Sequence, residues 1–322
     1  ELLLRGLPIP RYPQLKLGLP SKKALIKAWR MKRPDLVHVA TEGPLSWSAL
    51  QAAQTLRLPV TSDFRTNFHS YCQHYGVGWL SKPIVAYLRK FHNRTAFTMV
   101  PTQSMKYQLE ALGFNNLKVV ARGIETHIFH PENRNDALRK SWGASPETIV
   151  LLSVGRLAAE KNLDLTLQAY QALMAAGRPV KMVFAGDGPM RATLEIKCPD
   201  AIFAGMCTHE QLAKLYASAD LLLFPSLTET FGNVTLEALS SGTPVLAFDC
   251  AAAGEFITDK KNGWLVNSDD AKAYINRALD ITRDKETLIK ARAFTRSSIE
   301  HLAWDEIAAQ AESIFQRAIE MG

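Results

Sequence analysis

Apolar residues recur in two patterns along the 322-residue chain, and the patterns alternate. Short, near-continuous runs of Val, Ile and Leu predict strands buried on both faces. Longer stretches with apolar residues three and four apart predict helices between them. In the first half the strands fall at Asp35–Ala40, Pro59–Ser62, Phe97–Val100 and Leu117–Val120. Helices fall at Leu45–Leu56, Leu80–Phe91 and Ser104–Leu112, the last stopped by Gly113. Residues 122–147 break the rhythm with Gly123, Pro131, Asn133, Asn135, Gly143 and Pro146, and read as an interdomain linker. The rhythm restarts with strand Thr148–Val154, helix Leu163–Ala175, strand Lys181–Ala185, helix Met190–Ile196 and strand Ala201–Phe203. Helix Glu210–Ser218, strand Leu221–Phe224, helix Val234–Ser240 and strand Val245–Phe248 follow, and helices Ala271–Arg283, Lys285–Thr295 and Asp305–Ile319 close the chain. This alternation predicts an α/β protein of two Rossmann-like, doubly wound domains facing across a cleft, with ligand expected where loops leave the strand ends. The divisions are 1–143, 144–302 and a final helical segment, 303–322.

The opening stretch, with Gly6, Pro8, Pro10, Pro13, Gly18 and Pro20, has turn chemistry and no periodicity. A doubly wound domain usually opens with a strand, so an N-terminal piece is expected to be absent. Hydrophobic residues make up 47% and charged residues 21%, an ordinary globular composition. No apolar run approaches the ~20 residues needed to span a bilayer. The net charge of +7 suits acidic small molecules or an anionic membrane surface. No basic cluster of nucleic-acid type is present, so nucleic acid is set aside. Cys72, Cys198, Cys207 and Cys250 lack CxxC spacing, which predicts reduced thiols in a cytoplasmic protein. The histidines form no HExxH, and no metal site is expected.

The most informative segment is Pro225-Ser226-Leu227-Thr228-Glu229-Thr230-Phe231-Gly232-Asn233-Val234-Thr235-Leu236-Glu237-Ala238-Leu239. A buried strand ends in a polar loop, and a helix opens near Gly232 between Glu229 and Glu237. A helix N-terminus presents unpaired N–H groups and partial positive charge, which suit a phosphate, and a carboxylate beside it accepts hydrogen bonds from hydroxyls. Together they describe a site for a sugar nucleotide. Val154-Gly155-Arg156-Leu157 ends the first strand of the second half and Glu160-Lys161-Asn162 leads into the next helix. Gly155 permits a sharp turn, and Arg156 and Lys161 on one loop can bind a diphosphate without metal. In Ala185-Gly186-Asp187-Gly188-Pro189 the turn is mostly structural, with Gly186 permitting close backbone approach to ligand. Phe203-Ala204-Gly205-Met206 is placed to flank a nucleobase. GxGxxG is absent, which disfavours a nicotinamide or flavin enzyme.

In the first half, Ser62–Tyr71 follows a strand; Arg65, Asn67 and His69 contact the reacting sugar or acceptor, or else cap a helix. Residues 78–90 combine Trp79, Leu80, Ile84, Val85, Tyr87 and Leu88 with Lys82, Arg89 and Lys90. This is either a peripheral contact with an anionic membrane or a helix with a core face and a basic solvent face.

As a set, these segments resemble family 4 retaining glycosyltransferases of the GT-B fold, with support from Arg122-Gly123-Ile124-Glu125 and Asn262-Gly263-Trp264-Leu265-Val266. The resemblance implies that Arg156 and Lys161 hold a donor diphosphate, Glu229 the donor sugar hydroxyls and Glu237 the ribose. It also implies that backbone around Phe231, Gly232, Asn233 and Val234 meets phosphate and sugar. The C-terminal helix would cross back onto the first domain. Residues 61–76 look most like bacterial mannosyl- and glucosyltransferases acting on lipid acceptors, at the inner face of a membrane. There are two departures. Arg65 stands where many relatives carry a histidine near the reaction centre, and the opening strand with its glycine-rich loop is missing.

The expectation is transfer of a hexosyl group, mannose or glucose, from a GDP- or UDP-linked donor to a hydroxyl acceptor, with retention and without a metal or other cofactor. Arg156, Lys161, Glu229 and Arg65 are the catalytic candidates. The alternatives are a phosphorylase or epimerase with the same diphosphate clamp, and a non-catalytic nucleotide-sugar-binding module.

Overall fold

The computed structural model describes residues 2–9, 12–64 and 81–322. Contacts divide the chain into two compact units, Glu1–Ala121 with Ile307–Gly322, and Arg122–Glu306.

The first unit contains β1 (Gly6–Ile9), β2 (Tyr12–Gly18), α1 (Lys22–Met31), β3 (Val37–Val39), α2 (Pro44–Leu56), β4 (Val60–Asp63), α3 (Ser81–His92), β5 (Phe97–Val100), α4 (Gln103–Ala111) and β6 (Leu117–Val119). Among the described residues, β3-β4-β5-β6 form a four-stranded sheet in that order, all parallel. One core cluster joins Val37, Val39, Leu50, Val60 and Phe91, and another joins Phe64, Leu88, Val100, Leu109 and Leu117. Between strands the interior is partly polar. Ser62 Oγ lies 2.9 Å from His92 Nδ1 and 3.0 Å from Thr98 Oγ1, and His92 Nε2 lies 3.2 Å from Glu42 Oε1.

Two expectations fail here. The opening stretch is not all turn: β1 and β2 pair antiparallel, Gly6 with Gly18 and Leu7 with Leu17, as a sheet separate from the parallel one. Each strand of a two-stranded ribbon has one free edge, where alternate N–H groups face outward, so prolines that would exclude a central strand are tolerated. Helix α1 was also not foreseen, although Leu25, Ala28 and Trp29 stand at helical spacing; of these Leu25 is buried. The apolar face of α3 is not free for a membrane either. Leu88 and Phe91 are buried, Ile84 and Val85 pack on the core, and Lys82, Arg89 and Lys90 are left facing outward. Trp79 and Leu80 fall outside the described residues.

The second unit contains α5 (Asp136–Ser141), β7 (Ile149–Val154), α6 (Leu163–Ala175), β8 (Val180–Ala185), α7 (Arg191–Lys197), β9 (Ile202–Gly205), α8 (His209–Ser218), β10 (Leu221–Phe224), α9 (Asn233–Ser240), β11 (Val245–Phe248), α10 (Ala251–Phe256), β12 (Gly263–Val266), α11 (Ala271–Ile281) and α12 (Lys285–Thr295). The last helix, α13 (Trp304–Glu320), belongs to the first unit from Ile307 onward. There Gln310 Nε2 donates to the Val119 carbonyl at 3.1 Å, and the Phe315 ring meets His38.

The six parallel strands run in the order β12-β11-β10-β7-β8-β9. Strand β7 is buried along its whole length, and Leu151, Leu152, Leu221, Leu222, Leu223 and Leu246 are all 0% exposed. These apolar runs read as strands because helices cover both faces. From β7 the chain winds outward through β8 and β9, then returns to the other side of β7 to build β10, β11 and β12. The order therefore reverses between β7 and β10. Loops leaving those two strands at their carboxyl ends flank a crevice, the usual ligand position in open α/β sheets.

The boundary between units falls at Ala121/Arg122 rather than 143/144 because much of the presumed linker is tied to the second sheet. Arg139 Nη1 donates to Asp220 Oδ2 at 2.9 Å and to the Ser218 carbonyl at 2.7 Å, and Arg134 Nη2 donates to Asp220 Oδ1 at 3.2 Å. Arginines at the carbonyl end of α8 satisfy groups the helix leaves open and oppose its dipole. Elements α5, α10 and β12 were not foreseen, being only four to six residues long, too short to show a period.

Candidate active site

The loop after β7 is shaped by close backbone packing. Gly155 has φ +139°, and its N–H donates to the Ala185 carbonyl at 3.0 Å. Gly186, at φ +125°, lies so close that a Cβ would stand 2.0 Å from the Gly155 oxygen. Gly186 thus permits a close approach to the loop after β7. Leu157 N–H donates to the Asp187 carbonyl at 2.9 Å, and Met190 N–H to the Leu157 carbonyl at 2.9 Å, so the loops after β7 and β8 brace each other.

That bracing places the two basic residues. Arg156 is ion-paired with Glu160, whose side chain is only 9% exposed while that of Arg156 is 50% exposed. Lys161 is ion-paired with Glu229 of the loop after β10, and its ammonium lies 5.6 Å from the centre of the Phe224 ring. Ser226 Oγ donates to the same Glu229 oxygen, Oε1, at 2.7 Å. The two loops flanking the switch point therefore meet through Lys161 and Glu229, residues far apart in the chain.

Helix α9 begins beside that pair. Gly232, at φ +91°, is its N-cap, and no side chain caps the helix. Asn233 and Val234 form its first turn, so their N–H groups face the helix entrance. Phe231 is 1% exposed; its carbonyl accepts from Ala252 N–H at 2.8 Å, and the Arg122 guanidinium lies 5.9 Å from its ring centre. Cys250 is close by: burial pushes its thiol up to about 11, with Glu229, Asp249 and Asp269 adding to the rise, so it stays protonated.

Glu237 belongs to a different cluster. Tyr216 Oη donates to its Oε2 at 2.8 Å. Burial raises the Glu237 carboxyl above its usual range; the Tyr216 hydrogen bond and His209 oppose the rise, and Glu125 adds to it. His209 Nδ1 lies 3.4 Å from Glu125 Oε2. Met206 is 78% exposed just past β9, the edge strand two places out from β7. Arg65, Asn67 and His69 lie outside the described residues.

The expected cations and acids thus appear as three local groups: Lys161 with Glu229 and Ser226, Arg156 with Glu160, and Glu237 with Tyr216, Glu125 and His209. Sequence reasoning missed the partners. Glu160 had a signal, its i,i+4 spacing from Arg156. Tyr216 had none, because a tyrosine on the apolar face of α8 reads as core.

Residues 2–128 match the family model described as Glycosyltransferase Family 4, and residues 148–284 the model described as Glycosyl transferases group 1. A GDP-mannose-dependent alpha-mannosyltransferase of Corynebacterium glutamicum is 30% identical over 94% of this chain and 72% of its own length. The chain belongs to glycosyltransferase family 4. Another relative, the sulfoquinovosyl transferase SQD2 of Arabidopsis thaliana, is 29% identical over 93% of this chain, and the chain spans 60% of its length. The solved structure of Anabaena HepE in complex with UDP superposes with a TM-score of 0.78 at 18% identity, covering 95% of this chain and 83% of HepE. The fold is GT-B. Within this family 4 glycosyltransferase the second unit carries every candidate residue described above, from Gly155 to Glu237.

Proposed function

We propose that this chain transfers a hexosyl group, mannose or glucose, from a nucleoside-diphosphate sugar to a hydroxyl acceptor, with retention at the anomeric carbon. One observation carries the reading: the reversal of strand order between β7 and β10 brings Lys161 onto Glu229 beside the uncapped start of α9. A cation, a helix N-terminus and a carboxylate in one crevice match a diphosphate joined to a polyhydroxylated ring.

In this reading the diphosphate takes over Lys161 and Arg156 from their carboxylate partners. Glu229, with Oε1 already held by Ser226, offers Oε2 to a sugar hydroxyl. As the anomeric C–O bond breaks, the ring gains oxocarbenium character and the departing diphosphate gains negative charge. Lys161, Arg156 and the α9 N–H groups stand where that charge grows, so they stabilise the transition state more than the bound donor. The acceptor oxygen adds to the anomeric carbon on the face the diphosphate leaves, and the departing phosphate oxygen takes the acceptor proton. No metal or other cofactor enters the proposal.

A lipid-linked acceptor is part of the reading, supported by the net charge of +7. Helix α1 supports membrane contact better than residues 78–90 do. Lys23, Lys27 and Arg30 with Ile26 and Met31 line an open groove of about 360 Å³ on that helix. Cationic heads beside apolar side chains suit an anionic bilayer surface.

The test is to incubate the protein with GDP-mannose, UDP-glucose and candidate acceptors and follow the anomeric proton by NMR. Appearance of an α-linked product from an α-linked donor is expected. An inverted product, or nucleotide release unaffected by acceptor, would overturn the proposal.

A further inference from the structure

The strongest feature left unused by the proposed chemistry is the buried hydroxyl beneath Glu237. Tyr216 is 0% exposed. Its backbone carbonyl accepts from Thr243 Oγ1, and its ring meets Phe129 edge-on at 5.9 Å. Phe129 is itself locked, its carbonyl accepting from Ser240 Oγ at 2.7 Å and from Arg296 Nη1 at 3.1 Å. The neighbouring Ala217 carbonyl accepts from Arg292 Nη2 at 2.6 Å. With ring and backbone both fixed, the Tyr216 oxygen is held in place, and its hydroxyl donates to Glu237 Oε2 at 2.8 Å.

We propose that Tyr216 is a positioning residue of the donor site: by occupying Oε2 it orients the Glu237 carboxylate and leaves Oε1 as acceptor for the vicinal hydroxyls of a ribose. The inference rests on the proposed function together with the role that the family resemblance implies for Glu237, contact with the donor ribose. It adds the reason a carboxylate can serve there at all. Burial favours the protonated form of a carboxylate, which cannot accept from both hydroxyls; one hydrogen bond from a group that itself stays protonated opposes this. Tyr216 is suited to that part, because burial and the adjacent Glu237 hold its hydroxyl in the protonated state.

The groups acting on Glu237 from around it are few. Helix α8 contributes Tyr216 and His209, and the loop after β6 contributes Glu125. Strand β11 contributes no ionisable residue; α10 carries Glu255; and the segment after α12 carries Arg296, which donates to the carbonyls of Thr126, Phe129 and Ser240. Helix α9 carries no other ionisable side chain. The sign of the pH effect follows. Donor binding needs the carboxylate, so affinity falls as pH drops through the raised Glu237 value. Removing the Tyr216 hydroxyl removes an influence that lowers that value, so the fall should begin at higher pH.

The experiment is calorimetric titration of GDP, UDP and their 2′,3′-dideoxy counterparts between pH 5 and 8, using wild type, Tyr216→Phe and Glu237→Gln. Glu237→Gln should weaken the ribonucleotides about tenfold or more and leave the dideoxy forms unchanged. Tyr216→Phe should weaken the ribonucleotides about tenfold at neutral pH, move the acid limb of their binding upward and spare the dideoxy forms. Should Tyr216→Phe not fold, Tyr216→Phe/Glu237→Gln leaves no unpaired buried charge and is expected to bind as weakly as Glu237→Gln alone. Ribonucleotide affinity unchanged in Glu237→Gln would overturn the ribose assignment and this inference with it. A normal loss in Glu237→Gln with an unmoved acid limb in Tyr216→Phe, or a further loss in the double variant, would overturn the inference alone.

Discussion

Glu229 and Glu237 stand on either side of the start of α9, and the fold gives them different company. Glu229 is met by a cation, Lys161, and a hydroxyl, Ser226, both on Oε1. Glu237 is met by Tyr216 on Oε2, with His209 nearby and Glu125 opposing. The first carboxylate is charge-balanced by a partner a diphosphate can take away. The second is buried with a partner that no anion would displace. In the proposed reading the two acids therefore differ in what the donor must do: at Glu229 it would compete for an existing ion pair, and at Glu237 it would complete a half-satisfied carboxylate.

That contrast can be broken most sharply at Lys161. Lys161→Ala should cost about 10²–10³ in turnover, the usual penalty for losing one group aimed at developing charge. Steady-state rates with saturating donor measure it, and a loss under tenfold would show that Glu229 and Lys161 pair only with each other. Gly186→Ala attacks the support of the same loop. Its Cβ would fall 2.0 Å from the Gly155 oxygen at φ +125°, so a destabilisation of about 2–4 kcal/mol is expected in a chemical melt. Little change in the midpoint would mean the loops after β7 and β8 are not braced as described.

Glu237→Gln sharpens the other side of the comparison. Because the folded-state carboxyl titrates above its unfolded value, the native state holds the proton more tightly, and stability falls as pH rises through that window. The neutral amide avoids this loss, so the ligand-free variant should melt higher than wild type at pH 7 and not at acid pH. Its nucleotide-induced thermal shift should shrink at the same time. Equal melting at both pH values would argue that Glu237 carries no burial penalty. The smallest effect is expected outside both regions: Lys27→Ala on α1 should weaken partition onto anionic vesicles by about fivefold, from ~1 kcal/mol per surface cation, with turnover on a soluble acceptor unchanged. Unchanged partition in flotation assays would remove α1 from the membrane reading.

The second unit was legible because its strands are continuous apolar runs. Leu221–Phe224, Val245–Phe248 and helix Leu163–Ala175 lie where the pattern put them. In the parallel sheet of the first unit the strands are three or four residues long and carry buried polar groups such as Ser62 and Thr98, so their pattern was weaker. The proline-bearing strands Gly6–Ile9 and Tyr12–Gly18 carried no periodic signal, whereas α1 does place Leu25, Ala28 and Trp29 three and four apart, a signal the sequence reading left unused. The placement of Arg156, Lys161 and Glu229 on loops beside strand ends, and of Glu237 in the helix that follows, was readable in the sequence. The partner Glu160 had only its i,i+4 spacing from Arg156 to announce it, and Ser226 and Tyr216 had nothing local to distinguish a buried partner from an ordinary polar or core residue.

The amino-acid sequence alone determined the α/β class, the alternation of strands and helices, and which loops carry charge, since these follow from near-neighbour periodicity and turn chemistry. Only the tertiary structure decided who pairs with whom. Lys161 reaches Glu229 because the strand order reverses between β7 and β10, and Tyr216 reaches Glu237 because α8 packs on α9. Hydrogen bonds and ion pairs form between groups a few ångströms apart in space, and distance in space is set by sheet order and helix packing rather than by separation along the chain.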